Sequence, residues 1–350
     1  MHDPRRRCRF WHAATGEPAM DRDKRVYDDV FQLLPSVENP TPIVRLNKTL
    51  GVPGFDLYAK LEWMNPFGSV KDRAASFMIR DLEARGEIRK KADDAGGRAM
   101  VEPTSGNTGL SLAVMASAMG YGVRAVVPDK VPLSKKALLK MAGAELDVIN
   151  DSLCPAPGLG EGSIGIAKSH AKAQRDKYVM PNQYENEQNV RAHMETTGPE
   201  IWKQTEGRIT HFFASLGTAG TITGCGRYLK QQNPKIKVYV VVPNEGHDVP
   251  GLRTPSELAT TNLFDRSVVD EIVEVDGELA FRTALELIRQ EGLLAGPSSG
   301  LIHEGARRIL QRDAASVQGG VGVSIFCDDA FKYVNSFLKH VPELAEGTEA

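Results

Sequence analysis

Cysteine is scarce in this chain of 350 residues, with only Cys8, Cys154, Cys225 and Cys327. They lie too far apart for the paired spacing of a zinc site and are too few for a disulfide scaffold. They read as reduced thiols of a cytoplasmic protein, and no metal site is expected. An excess of either charge is also missing. Lys and Arg total 43 against 45 Asp and Glu, a net charge of -2, so no basic field gathers nucleic acid or an anionic membrane. Long apolar runs are lacking too: the stretch at 238–242 is strand-length, far short of the roughly 20 residues that span a bilayer. What is present is 41% hydrophobic residues, enough to fill the core of one large or two modest domains.

Residues 1–24 carry Arg5, Arg6, Arg7 and Arg9 without apolar periodicity, and no apolar secretory segment follows. They read as a disordered extension, or as an early start with Met20 as initiator, with an Arg-rich transit peptide as the alternative. Residues 25–55 lead into the sheets. From Asp56 onward, short apolar runs alternate with amphipathic stretches, the rhythm of an α/β fold with mainly parallel sheets. Strands are predicted at 57–62, 98–102, 123–128, 145–149, 210–215, 237–243 and 321–327. Between them run helical stripes such as Val70, Ala74, Phe77, Met78 and Leu82. The expected arrangement is two open, twisted sheets flanked by helices: a smaller domain over 56–178, a larger one over 179–342, and a flexible tail at 343–350. The turn-forming stretch 154–162 predicts a surface loop.

Four segments carry candidate chemistry. Asn65-Pro-Phe-Gly-Ser-Val-Lys71-Asp-Arg73 sets a lysine after a turn and at the start of an amphipathic helix, where the helix dipole disfavours a cation. Pro103-Thr-Ser-Gly-Asn-Thr-Gly109 joins a strand to a helix and can aim backbone N–H groups and hydroxyls at an anion. Gly217-Thr-Ala-Gly-Thr221 repeats the device and is the better phosphate cradle; its glycine spacing matches neither a dinucleotide fingerprint nor a Walker loop. Gly296-Pro-Ser-Ser-Gly300 is the third such loop, and a serine there can hydrogen-bond a neutral pyridine nitrogen. Each alone also fits an exposed lysine or an N-capping turn. Together they supply the amine, the anion cradle and the ring partner that pyridoxal phosphate requires.

These motifs resemble the fold type II pyridoxal-phosphate enzymes, related to the tryptophan synthase β chain, and specifically the cysteine synthase and cystathionine β-synthase group. The resemblance runs over about residues 40–337. It implies an active site in the cleft between the domains. There Lys71 holds the cofactor as a Schiff base and, once released, moves the Cα proton. It implies that Thr104, Ser105, Gly106, Thr108 and Gln183 bind the amino-acid carboxylate, and that Asn107 contacts the cofactor's 3′-oxygen. Gly217, Thr218, Ala219, Gly220 and Thr221 become the phosphate loop, with Ala219 where the family has Gly or Thr, and Ser298 faces the pyridine nitrogen. The segments at 207–215 and 249–253 are most similar to the B-type cysteine synthases and the O-phosphoserine users. Arg253 can pair with a substrate phosphate or sulfonate, or serve as a structural arginine.

The implied activity is β-replacement, making cysteine or S-sulfocysteine from O-acetylserine or O-phosphoserine with sulfide or thiosulfate. The alternatives are cystathionine β-synthase or serine/threonine dehydratase chemistry on the same fold, or a binding protein without turnover. The resemblance further implies a homodimer and raises a complex with serine acetyltransferase. Asp328 and Asp329, at the end of the last strand, receive no role.

Overall fold

The computed structural model describes residues 26–92, 97–104, 106–150, 162–260 and 262–347. The N-terminal extension, nearly all of the turn-rich stretch at 154–162, Ser105 and the final three residues lie outside the described residues. Strands β1 (Ile43–Arg45), β2 (Asp56–Leu61), β3 (Ala99–Pro103), β4 (Val123–Pro128) and β5 (Glu145–Ile149) are followed by β6 (Tyr178–Val179), β7 (His211–Ser215), β8 (Lys237–Pro243), β9 (Glu271–Val275) and β10 (Val321–Phe326). The helices are α1 (Lys71–Ala84), α2 (Asn107–Met119), α3 (Leu133–Met141), α4 (Ser163–Ala173), α5 (Glu187–Ala192), α6 (Gly198–Gln204), α7 (Gly220–Gln232), α8 (Gly277–Glu286), α9 (Pro297–Arg312) and α10 (Val334–His340).

The strands form two sheets, one ordered β1-β2-β10-β7-β8-β9 and one ordered β5-β4-β3-β6. Every pairing is parallel except β1 with β2. Helices cover both faces, so a central strand such as β10 is buried at all its positions and reads as an unbroken apolar run. The expected class, two mainly parallel sheets flanked by helices, is the one found. Among the described residues, no helix is long and apolar enough to cross a membrane.

The partition at 56–178 needs correction. β2 belongs to the six-stranded sheet, where it pairs with β10, while β6 joins the four-stranded one. Sequence neighbours often pair in space, but a buried strand pairs with whatever covers its edge, and here that is the last strand of the chain. Three short edge strands, β1, β6 and β9, went unpredicted because each is partly exposed or only two residues long. The tail is shorter than expected, since Pro342–Ala345 forms a 3-10 turn and Glu343 pairs with Arg282.

The chain order places the site. In the large sheet, connections run outward from β7 in one direction and to β10 in the other; in the small sheet the same divergence separates β3 from β6. Ligands of open α/β sheets bind beyond the strand carboxyl ends at such divergences. The predicted loops follow β3, β6 and β7 there, and α1 and α9 begin beside them.

A buried ionic network fixes the start of α1. Arg73, 1% exposed, donates to Glu62 at 2.6 and 2.9 Å, to Glu200 at 2.6 and 2.8 Å, to Thr196 Oγ1 at 2.8 Å and to Thr41 Oγ1 at 3.1 Å. Lys60 adds a second cation, 2.8 Å from Glu200. Removing one partner of a buried pair strands the others, so Arg73→Ala is expected to cost about 3–5 kcal/mol in denaturant unfolding. Burial pushes the Glu62 carboxyl up, but Arg73 and Lys60 outweigh it and bring it to about 2, below its ordinary 4.5. Its folded value lies below the unfolded one, so its stabilisation is complete above about pH 4.5 and is lost as pH falls toward 2. Acid unfolding followed by circular dichroism should show this loss in the parent and not in Glu62→Gln.

Candidate active site

Lys71 is the first residue of α1, and the motif before it builds the turn that presents it. Asn65 Nδ2 donates to the carbonyls of Glu62 at 2.8 Å and Ser69 at 2.9 Å. The Phe67 N–H donates to Asp72 Oδ2 at 2.7 Å, and the Ser111 hydroxyl lies 2.6 Å from Asp72 Oδ1, fastening the turn to α2. Gly68 has φ +82°, a conformation glycine adopts without strain. Among the described residues the Lys71 amine makes no hydrogen bond. Burial pulls its ammonium below the usual lysine range, with Cys327 and Asp328 only partly opposing. That shift favours the free amine, the form that attacks a carbonyl carbon.

The loop after β3 brings the hydroxyls of Thr104 and Thr108 to the pocket. Thr104 Oγ1 accepts the N–H groups of Gly106 at 3.2 Å and Gly109 at 3.0 Å, which leaves its own proton to donate. Thr108 Oγ1 donates to Gln183 Oε1 at 2.6 Å, and Gln183 Nε2 donates to the Pro103 carbonyl at 3.2 Å. Gln183 is held by Glu102, a buried carboxylate that accepts the N–H groups of Asn182 at 2.8 Å and Gln183 at 3.0 Å. No cation pairs with it among the described residues, and burial pushes Glu102 up to about 7. Glu102 was not singled out from sequence, although an acid at the end of an apolar strand is a signal that its partners lie in the next loop.

The loop after β7 runs from Gly217 to Thr221 and opens α7. Ala219 is its N-cap residue with φ +70°, a left-handed conformation that costs an L-residue roughly 1–2 kcal/mol. At this position the important property is the backbone shape, and the presence or absence of a hydroxyl is secondary. Arg253 is buried against the same loop: its Nε donates to the Gly217 carbonyl at 2.9 Å, and its guanidinium lies over the Tyr184 ring, 5.5 Å from the centroid. Ser298 stands in the first turn of α9 beside the Cys327 thiol, which burial pushes up to about 11. A neutral thiol does not compete with the lysine as a nucleophile.

The end of β10 contributes more than expected. Asp328 is buried, and burial raises its carboxyl. Its Oδ2 accepts from Asn107 Nδ2 at 2.6 Å and from the Tyr333 hydroxyl at 2.5 Å, while its Oδ1 has no partner among the described residues. Lys332 Nζ donates to Asn107 Oδ1 at 3.1 Å. Asn107 is therefore held on both sides. Lys71, Thr104, Gly106, Asn107, Thr108 and Gln183 line one pocket with residues 217–221, Arg253 and Ser298. Of the residues singled out from sequence only Ser105 is not placed.

The model of the pyridoxal-phosphate dependent enzymes matches residues 34–328. The chain belongs to this family. It is 38% identical over 296 residues to cysteine synthase B of Salmonella typhimurium, covering 85% of this chain and 92% of that protein. It is 39% identical over 297 residues to cysteine synthase B of Pseudomonas aeruginosa, covering 85% and 93%. Among solved structures, a hydrogen sulfide-producing enzyme from Fusobacterium nucleatum matches with a TM-score of 0.77 at 30% identity, covering 88% of this chain and 100% of that one.

The pocket fits the family's cofactor. Lys71 lines the pocket with an amine that makes no hydrogen bond among the described residues and is open to the aldehyde. α1, α2, α7 and α9 all begin at the pocket and turn their N–H groups and dipoles toward it, as an anion requires. A Cβ on Gly220 would collide with the Asn189 side chain, so Gly220→Ala is expected to lower the cofactor content of purified protein, read from its visible absorbance. Ala219→Gly removes the left-handed strain and should leave the melting temperature unchanged or raise it, against a loss of about 1 kcal/mol for the same change inside a helix.

Proposed function

We propose that this enzyme catalyses β-replacement on an O-activated serine, joining sulfide or thiosulfate to the β-carbon to give cysteine or S-sulfocysteine. The observation that carries this reading is Lys71, whose amine makes no hydrogen bond among the described residues and lines one pocket with a loop suited to a carboxylate and a loop suited to a phosphate. The names of the relatives support it, and so does Ser298 as the neutral partner of the ring nitrogen.

Bound pyridoxal phosphate supplies a conjugated ring that accepts the electrons released at the substrate's α-carbon. Lys71 would hold the cofactor through its amine and would be freed when the substrate amine takes its place. Thr104, Ser105, Gly106, Thr108 and Gln183 grip the substrate carboxylate, and Thr104 gives its free hydroxyl proton to one oxygen. The released Lys71 amine then takes the α-proton, and acetate or phosphate leaves the β-carbon with its bonding pair. The sulfur nucleophile adds to that carbon, and Lys71 returns the proton to the α-carbon. Asn107, held by Asp328 and Lys332, is ready to orient the oxygen on the cofactor ring.

Arg253 directs the choice of leaving group. With Nε spent on the Gly217 carbonyl, its terminal N–H groups make no hydrogen bond among the described residues and remain for an oxyanion at the pocket wall. A homodimer, a complex with serine acetyltransferase and a cytoplasmic location complete the proposal; the free thiols of Cys225 and Cys327 accord with a reducing compartment.

Lys71→Ala should lose the visible absorption band and all turnover, and borohydride reduction of the parent should fix the cofactor to the peptide containing Lys71. An intact band in the variant, or label elsewhere, refutes the assignment. Arg253→Ala should lower kcat/KM for O-phosphoserine by roughly 10- to 100-fold while changing that for O-acetylserine by only a few fold. Equal losses would make Arg253 a loop brace. Supplying homocysteine, or no nucleophile, tests the cystathionine and dehydratase alternatives in the same assay.

A further inference from the structure

The hydroxyls of the Gly217–Thr221 loop are backed by one face of a neighbouring helix. Asn189, in α5, donates from Nδ2 to Thr218 Oγ1 at 2.8 Å and to the Gln183 carbonyl at 2.8 Å. Four residues on, His193 begins a wide helical turn, His193–Thr197, closed by the Gly198 N–H to the His193 carbonyl. His193 Nε2 lies 3.2 Å from Thr221 Oγ1, and its Nδ1 lies 2.9 Å from Thr197 Oγ1. Asn189, His193 and Thr197 are buried. Two glycines of α7 make room for them: a Cβ on Gly220 would strike Asn189, and one on Gly224 would lie 2.8 Å from the His193 Cβ. The spacing of Gly220 and Gly224 thus serves the packing of α7 against α5 as well as the approach to a ligand.

A hydroxyl has one proton and two lone pairs, and a phosphate oxygen only accepts. Asn189 occupies a lone pair of Thr218, so the Thr218 proton is left for the pocket. His193 can do the same for Thr221 in only one tautomer. We propose that Asn189 and His193 are positioning residues that turn the Thr218 and Thr221 hydroxyls into donors toward the cofactor phosphate. In this relay Thr197 donates to His193 Nδ1, His193 Nε2–H donates to Thr221 Oγ1, and the Thr221 proton points at the anion. The reversed relay would aim a Thr221 lone pair at negative charge. Burial, with Arg73 and Lys71 adding to it, holds the imidazole neutral, and a neutral ring has the one donor and one acceptor that the relay uses.

The inference rests on the assignment of this loop to the phosphate, and the test separates the two. Apoenzyme is titrated with pyridoxal phosphate and with pyridoxal, which forms the same imine but lacks the phosphate. Thr221→Val should weaken pyridoxal phosphate roughly tenfold and leave pyridoxal unchanged. If it affects neither ligand, the loop assignment fails. His193→Leu should weaken pyridoxal phosphate by a similar factor, spare pyridoxal, and add nothing in the Thr221→Val background. His193→Gln, which keeps a donor, should stay within about threefold of the parent. A His193→Leu loss shared by both ligands, or one that persists beside Thr221→Val, overturns the inference while leaving the loop assignment standing. If His193→Leu does not fold, nitrogen-15 NMR of the histidine-labelled holoenzyme decides: protonated Nε2 with bare Nδ1 is expected, and the opposite tautomer overturns the relay.

Discussion

The arrangement of the site depends on one guanidinium taken out of water. Arg73 binds Glu62, which follows β2, Glu200 on α6, Thr196 in the turn that also carries His193, and Thr41 ahead of β1. Desolvating these charges is costly, and an apolar substitute of the same volume is often as stable. What the ion network provides is direction. Its hydrogen bonds fix where α1 starts, two residues before Arg73, relative to the turn behind the Gly217–Thr221 loop. Two groups that line one pocket, the Lys71 amine and the Thr221 hydroxyl, are thereby held to a single rigid brace.

Inside that frame, the pocket is organised by which protons are already committed. The Thr104 oxygen accepts two backbone N–H groups, the Thr218 oxygen accepts one from Asn189, and the Asn107 amide is clamped between Asp328 and Lys332. Each constraint removes a choice of hydrogen-bond direction before any ligand arrives, so little reorganisation remains to be done at the reaction step. The four helix N-termini add fixed partial positive charge, which suits a ligand carrying a phosphate and a carboxylate.

Much of this was legible in the sequence because the chemistry of the loops is local. A turn that presents Lys71 and the Ser/Thr/Gly segments after β3 and β7 need only neighbouring residues to be recognised. Sheet membership was harder: β2 reads like any strand preceding the small sheet, and only its pairing with β10 shows where it belongs. Asn189 and His193 were not singled out, because within an ordinary helical stretch nothing local separates a buried histidine that orients a threonine from one that fills space. Asp328 received no role for a related reason, since its partners Asn107 and Tyr333 come together only when the last strand is in place. Ala219 was seen only as a departure from the family's Gly or Thr, and its left-handed backbone became visible only in three dimensions.

The pairing of β2 with β10 also bears on the order of assembly during synthesis. The large sheet draws its strands from both ends of the chain, while β3 to β6 form a separate sheet from the residues between. As the polypeptide leaves the ribosome, the small sheet can close early from contiguous sequence, whereas β2 must wait with an open edge until residues 321–326 emerge. The pocket, which has Cys327 and Asp328 in its lining, is therefore completed only after β10 has emerged, and a ligand that fills it reports on a closed large sheet.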